Sequence, residues 1–271
     1  GDHVGIYGVN SVEWIESLWA IFKLRAVWIN INYRYVADEL AYLFGNADLK
    51  ALVHDAAFTD RVEDVAAHMP DLRHRLVVGG DFEDAVAEGS PERDFAPRSG
   101  DDRYILYTGG TTGMPKGVVW RHADVLFALG GGIDILSGER AQAPEDLVER
   151  GKKLGFALTF LPIAPLMHGA TQWAVMGQSF VGNKVVLMSQ FDPHEVWRLV
   201  EAERANSLMM TGDAMARPRI EAPDAQPSKT RDRSALISRS RTAAGFSIRK
   251  SSGSPAPETS RTVSPVPSAK V

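Results

Sequence analysis

The sequence contains no cysteine. Disulfides, cysteine-bound metals and thiol redox chemistry are therefore excluded, and a reducing cytoplasm is a compatible setting. Long apolar runs are also missing. The stretch over residues 161–167 is interrupted by Pro162 and Pro165, far short of the roughly 20 residues that span a bilayer. The amino terminus, GDHVGIYG, has no initiating methionine and none of the features of a signal peptide. On that basis the front of the protein is expected to be missing. Positive charge is scarce over most of the chain. The net charge is −4, made up of −10 in residues 1–218 and +6 in residues 219–271. An acidic main part argues against non-specific nucleic-acid binding. No group of His, Asp and Glu has the spacing of metal ligands.

What is present reads as an α/β protein. The 271 residues, 44% of them hydrophobic, suffice for one large or two smaller domains. Strand-like runs begin about every 24 residues over the first third: at Val4, Ala26, Lys50 and Arg75. Helical patterns separate them. One is capped by Asn10 with Glu13 three residues on, and carries Trp14, Ile15, Leu18, Trp19 and Phe22; others run over 37–44 and from Thr59. That alternation predicts crossover units and layered, mostly parallel sheets with helices on both faces. After a charged, Pro-rich loop over 88–102, strands are expected at 104–107, 158–163, 184–188 and 207–210. Helices are expected at 169–180 and from Pro193, with Asp192 as cap. The charged mixture over 137–153 reads as a solvated excursion.

After Pro218 the pattern fails. Residues 219–271 are rich in Ser, Arg, Pro and Ala, with Phe246 the one aromatic. Such composition cannot bury enough surface to offset its ordering entropy, so disorder is expected there. The division expected is thus a domain over 1–218 and a tail over 219–271.

The segment YTGGTTGMPKGV, residues 107–118, follows the strand-like run at 104–107. Its glycines allow close backbone approach and positive φ. Its N–H groups, the hydroxyls of Thr108, Thr111 and Thr112, and the charge of Lys116 together suit a phosphate. The pattern is not the P-loop, because Lys116 stands between Pro115 and Gly117. Nor is it the dinucleotide fingerprint, because that same Pro and Gly interrupt any early helix. A plain surface turn is the alternative, against which the three threonines, the lysine and the preceding strand weigh together.

The segment resembles the phosphate-binding signature of the adenylate-forming superfamily of acyl-CoA synthetases, adenylation domains and luciferases. The resemblance runs over residues 1–218. It includes the opening segment, FLPIAPLMHGATQWAV around His168, and the strand–helix–strand that follows. ININYRYV, Gly130 to Gly132 and PLMHGATQW resemble a branch acting on long-chain or steroid side-chain carboxylates. The family forms an acyl-adenylate from a carboxylic acid and ATP with Mg²⁺, then transfers the acyl group to coenzyme A. By this resemblance Thr108, Gly109, Gly110, Thr111, Thr112, Gly113 and Lys116 would hold the ATP phosphates. His168 would orient the carboxylate; taken alone it reads as a packed histidine. Gly131 and Trp173 would line the acyl pocket, or serve as a helix break and a core residue. Thr211 and Gly212 would be pocket residues at a strand's carboxyl end, or an ordinary turn. No metal ligand is assigned among the side chains.

The resemblance also implies later elements: a second Gly-rich motif with a Glu, an Asp for the ribose, and a small final domain with a lysine. None is found after Pro218, where the composition resembles a GC-rich gene read in a shifted frame. The expectation is therefore a truncated ligase with little adenylation activity of its own. A non-catalytic remnant that binds nucleotide weakly, or acts as a partner subunit, is the alternative.

Overall fold

The computed structural model describes residues 1–90, 92, 96–109, 113–134, 137–153, 157–211 and 215, and the backbone of 246–250 and 262–263. These residues form two compact units. One comprises Gly1–Val125 with Met167–Gly169, the other Leu126–Leu166 with Ala170–Val271.

The first unit alternates strand and helix: β1 (His3–Tyr7), α1 (Val12–Lys23), β2 (Val27–Asn30), α2 (Ala37–Asn46), β3 (Leu49–Asp55), α3 (Thr59–Ala66), β4 (His74–Val78), α4 (Phe82–Glu88), β5 (Arg103–Thr108) and β6 (Lys116–Arg121), with α5 (His122–Ala128) leading out. Its sheet has the order β4-β3-β1-β2-β5-β6. The first five strands are parallel, as the strand spacing predicts, and β6 returns antiparallel to β5. The central strand β2 is buried throughout, as a strand covered on both faces must be. Trp28 sits in it, stacked on Tyr104 of β5 at 4.9 Å and met edge-on by Trp14 of α1 at 5.5 Å. Apolar residues of β2, α2, β3 and α3, including Ile29, Leu40, Leu43, Leu52 and Val62, fill the core. Each such side chain contributes about 1.5–3 kcal/mol by leaving water.

One local reading is corrected, and two elements stand where the sequence alone predicts none. The cap of α1 is Ser11, whose Oγ accepts the Trp14 N–H at 3.1 Å; Asn10 is one residue too early. Helix α4 occupies 82–88, ahead of the charged, Pro-rich loop. The run Gly117-Val118-Val119-Trp120 is strand β6; its β-branched and aromatic residues are the signal, partly hidden by the Pro and Gly before them.

Strands β2 and β5 pair over only two residues, Trp28 with Tyr104 and Ile29 with Ile105. Side chains clamp this short ladder at both ends. At its start, the Arg25 guanidinium donates to both carboxylate oxygens of Asp102 at 2.8–3.2 Å. The Asp102 carboxylate also accepts the Ser99 N–H at 2.9 Å. Burial works against the Asp102 charge, but the Arg25 and Ser99 donors outweigh it and hold the carboxyl below its ordinary range. A depressed carboxyl contributes stability above its unfolded pKa and loses it as pH falls through the folded one. Asp102→Asn should therefore flatten the acid side of the stability–pH curve. Urea titrations across the acid range would measure this, and an unchanged slope would contradict it.

The second unit contains α6 (Pro144–Lys153), β7 (Thr159–Pro162), α7 (Gly169–Phe180, entered from the first unit), β8 (Lys184–Leu187), α8 (Pro193–Ala202), β9 (Ser207–Met209), β10 (Phe246–Lys250) and β11 (Thr262–Val263). The sheet order is β11-β10-β8-β7-β9, parallel except for β10 with β11. Asp192 caps α8 by accepting the Glu195 N–H at 2.7 Å, with Pro193 at the first position. Leu161, Val186, Met188, Val196 and Leu199 form the core beside it. Two short strands, β10 and β11, thus fall within the stretch whose composition predicts disorder. FSIRK alternates apolar and polar residues, the pattern of a strand.

The charged stretch over 137–153 is largely exposed, as a solvated excursion should be, but it is also tied down. It carries α6, whose Arg150 donates to the carbonyls of Gly131, Gly132 and Glu139 at 2.8–3.4 Å. Gly151 of α6 lies against the Val181 carbonyl, which a β-carbon there would strike.

Candidate active site

In the first unit a cavity of about 280 Å³ opens at the carboxyl ends of β2 and β5. The topology selects this place. The connection leaving β2 returns past β1 to β3, whereas the one leaving β5 turns outward to β6. Adjacent strands whose connections part in this way leave a crevice, where ligands of open α/β sheets sit. Three segments line it: Asn30, Asn32 and Tyr35 at the end of β2, residues 106–109 at the end of β5, and residues 167–169.

Of the expected site residues, Thr108, Gly109 and His168 meet at this cavity. Gly109 faces the Tyr35 hydroxyl, 3.8 Å from where a β-carbon would stand. Gly113 has φ +110°, a conformation that favours glycine, with open space around it. Lys116 is the register partner of Thr108 across the β5–β6 hairpin. Directly opposed residues project from the same face of a sheet, about 4.5–5.5 Å apart at their β-carbons, so the hairpin presents a hydroxyl and an ammonium side by side. Lys116 is exposed, and among the described residues no carboxylate pairs with it. Gly110, Thr111 and Thr112 lie outside the described residues, as does Gly212.

His168 is accessible from the cavity. Desolvation by the surrounding wall, and then the positive charge of Arg34, push its imidazole below the ordinary histidine pKa. At neutral pH the ring is uncharged, and one nitrogen can donate while the other accepts. Arg34→Ala removes one of the two depressing influences, so the His168 midpoint should rise. A proton NMR titration measures it, and a fall would refute the electrostatic account.

Gly131, Trp173 and Thr211 belong to the second unit. Gly131 has φ +82°, and the turn holding it packs on α7 at Gly177, 3.9 Å from where the Gly131 β-carbon would be. Trp173 is half-buried on α7, and Thr211 is exposed just beyond β9. Among the described residues no group of His, Asp and Glu could hold a metal ion, and no helix is long and apolar enough to cross a membrane.

Sequence reasoning missed three residues that shape the cavity. Arg61 of α3 donates to the Tyr7 hydroxyl at 2.7 Å and to the Tyr35 carbonyl at 3.0 Å. Tyr7 donates in turn to the Tyr35 carbonyl at 3.1 Å. Together they fix the turn bearing Asn32 and Tyr35. The third is Asn30, whose carboxamide is buried between the walls. A signal for it existed: a polar residue closing the apolar run AVWIN.

Comparison with known proteins places this geometry. Residues 1–260 match the AMP-binding enzyme family, so the match runs beyond residue 218, where the resemblance seen in the motifs ends. The 3-oxocholest-4-en-26-oate–CoA ligase of Rhodococcus rhodochrous is 44% identical over 91% of this chain and 47% of that protein. The medium-chain acyl-CoA ligase Mig of Mycobacterium avium is 38% identical over 82% of this chain and 42% of its own length. The chain thus spans about half the length of the curated relatives it matches. Among solved structures, the inhibitor-bound N-terminal domain of FACL13 from Mycobacterium tuberculosis superposes with a TM-score of 0.69 at 24% identity, over 83% of this chain and 53% of that one. A fatty acyl CoA synthetase from the same organism gives 0.68 at 22%, over 83% and 41%. These two likenesses show the fold. With the family match covering nearly the whole sequence, the chain belongs to the AMP-binding enzyme family.

Proposed function

We propose that this chain carries the carboxylate-activating half of an ATP-dependent acid–CoA ligase, acting on long-chain or steroid side-chain acids. The observation that supports it most is the meeting of Thr108, Gly109 and His168 at one cavity, with Lys116 beside Thr108 on the hairpin. The acid class rests on the relatives, which are named as ligases of 3-oxocholest-4-en-26-oate and of medium- and long-chain fatty acids.

In the proposed reaction a carboxylate oxygen attacks the α-phosphorus of ATP. A phosphorus–oxygen bond forms, the bond to the β-phosphate oxygen breaks, and pyrophosphate leaves. The thiol of coenzyme A then attacks the acyl carbon and AMP departs. The chain's task is positioning and neutralisation of charge. The loop fits phosphates in two respects: Gly113 leaves its backbone uncovered, and the exposed Lys116 ammonium has no carboxylate partner among the described residues. Thr108, Gly109 and Lys116 would hold the β- and γ-phosphates; Gly110, Thr111 and Thr112 belong to the same proposal. Mg²⁺ would arrive on the phosphates and spread their charge. Neutral His168 would donate to the carboxylate without competing with Lys116 for the phosphates. Gly131, Trp173, Thr211 and Gly212 are assigned to the acyl side. We place the reaction in the cytoplasm, which supplies ATP and coenzyme A.

Calorimetry with ATP and with a non-hydrolysable palmitoyl-adenylate analogue tests this, alongside acid-dependent ATP–pyrophosphate exchange. Both ligands should bind. Failure to bind either one, with no acid-dependent exchange, would overturn the proposal.

A further inference from the structure

One buried side chain joins the two walls of the cavity. Asn30 is 4% exposed at the end of β2. Its Oδ1 accepts the Tyr107 N–H at 2.6 Å. Its Nδ2 donates to the Tyr107 carbonyl at 2.9 Å and to the Met167 carbonyl at 2.8 Å. A carboxamide has the same donor and acceptor as a peptide group. By bonding both backbone groups of Tyr107, it adds one rung to the ladder that backbone pairing ends at Ile29 and Ile105. Its second N–H goes to the residue just before His168. Tyr107 in turn is the residue just before Thr108, and is itself held from the far side, its hydroxyl donating to Asn46 Oδ1 at 2.7 Å.

We infer that Asn30 is a positioning residue that fixes the root of the Gly-rich loop and His168 relative to each other. Neither aspartate nor alanine provides this. Aspartate keeps the acceptor for Tyr107 N–H but turns a carboxylate oxygen towards two carbonyls. Alanine leaves three buried backbone groups without their partner, which is unfavourable for each. The inference concerns the geometry of the two walls; only what they hold depends on the adenylation proposal.

The test uses the full chain. In Asn30→Ala the Tyr107 amide should exchange with solvent about tenfold faster, because its acceptor is gone. The imidazole resonances of His168, assigned through His168→Gln, should shift in the same variant. In Asn30→Asp the Tyr107 amide should retain most of its protection while the His168 resonances still move, a separation that general destabilisation would not produce. Affinity for both ATP and the palmitoyl-adenylate analogue should drop about tenfold in Asn30→Ala. Should that variant not fold, the unmodified chain suffices. The Asn30 carboxamide protons should exchange at least about tenfold more slowly than those of exposed Asn46.

Tyr107 exchange within twofold of the unmodified chain in a folded Asn30→Ala variant would overturn the inference, as would unmoved His168 resonances. Asn30 carboxamide exchange as fast as that of Asn46 would also do so. If the unmodified chain binds neither nucleotide, the adenylation proposal fails while the exchange and resonance results still decide the role of Asn30.

Discussion

Lys116→Ala should lower the small acid-dependent ATP–pyrophosphate exchange expected of this chain by about 10²–10³-fold, the usual loss when one preorganised group facing developing charge is removed. Among the described residues of the loop, 109 and 113–116, Lys116 is the one cation. Its register opposite Thr108 holds it at the hairpin exit. The loss should be selective. ATP presents β- and γ-phosphates to the lysine, whereas an acyl-adenylate retains only the α-phosphate. Calorimetry should therefore show a much weaker affinity for ATP and a nearly unchanged one for the palmitoyl-adenylate analogue. Lys116→Arg should recover part of the loss, since a planar guanidinium keeps the charge but not the compact geometry. Because the side chain is exposed, folding stability should stay within about 0.5 kcal/mol of the unmodified chain. Equal weakening towards both ligands, or an exchange rate close to that of the unmodified protein, would remove Lys116 from the proposed phosphate site.

The second large effect lies in α6 and concerns stability. Replacing a helical glycine by alanine ordinarily gains about 1 kcal/mol. At Gly151 the sign should reverse. The new β-carbon would strike the Val181 carbonyl, and a backbone group cannot rotate away as a side-chain tip can. Overpacking of this kind is unfavourable by about 1–3 kcal/mol, and the upper end is expected here. The displacement should also disturb Arg150 next to it, and with it the bonds to the carbonyls of Gly131, Gly132 and Glu139. Urea unfolding followed by circular dichroism measures the loss. A Gly151→Ala variant at least as stable as the original would show that α6 is not packed as described.

Segments whose apolar residues declare a period were legible in the sequence. The strands at 49–55, 74–78 and 184–187 and the helix at 169–180 follow from patterns that burial enforces. The elements that escaped are those whose order comes from elsewhere. α6 has one buried residue, Leu147, and is anchored by Arg150 and by the approach of Gly151 to a neighbouring turn. Neither leaves a periodic trace. Strand β6 is an edge with Val118 and Val119 exposed, so it lacks the alternation that marks a half-buried strand. The candidate site divides in the same manner. Thr108 and Gly109 are legible because a hydroxylated, Gly-rich loop suits phosphate, whereas His168 is legible only through the resemblance of its segment to the adenylate-forming family. Asn30, Tyr7 and Arg61 act on backbone groups of distant segments. Their partners exist only once the chain has folded, so local sequence marks Asn30 at most as a polar residue in an apolar run and does not show what it binds.

The clamps on β2 and β5 also bear on how the chain folds. Arg25 with Asp102, and Asn30 with Tyr107, each span 77 residues. Closing so long a loop is entropically unfavourable, but the unfavourable term is incurred once. Whichever clamp forms first brings the other's partners together. Docking of β5 is therefore expected to be a single cooperative event, later than the more local β1–β2 and β3–β4 pairings. Until it occurs, the crevice has no second wall. The candidate site is complete only when β5 has docked and the Met167 segment, 137 residues from Asn30, has joined it as well.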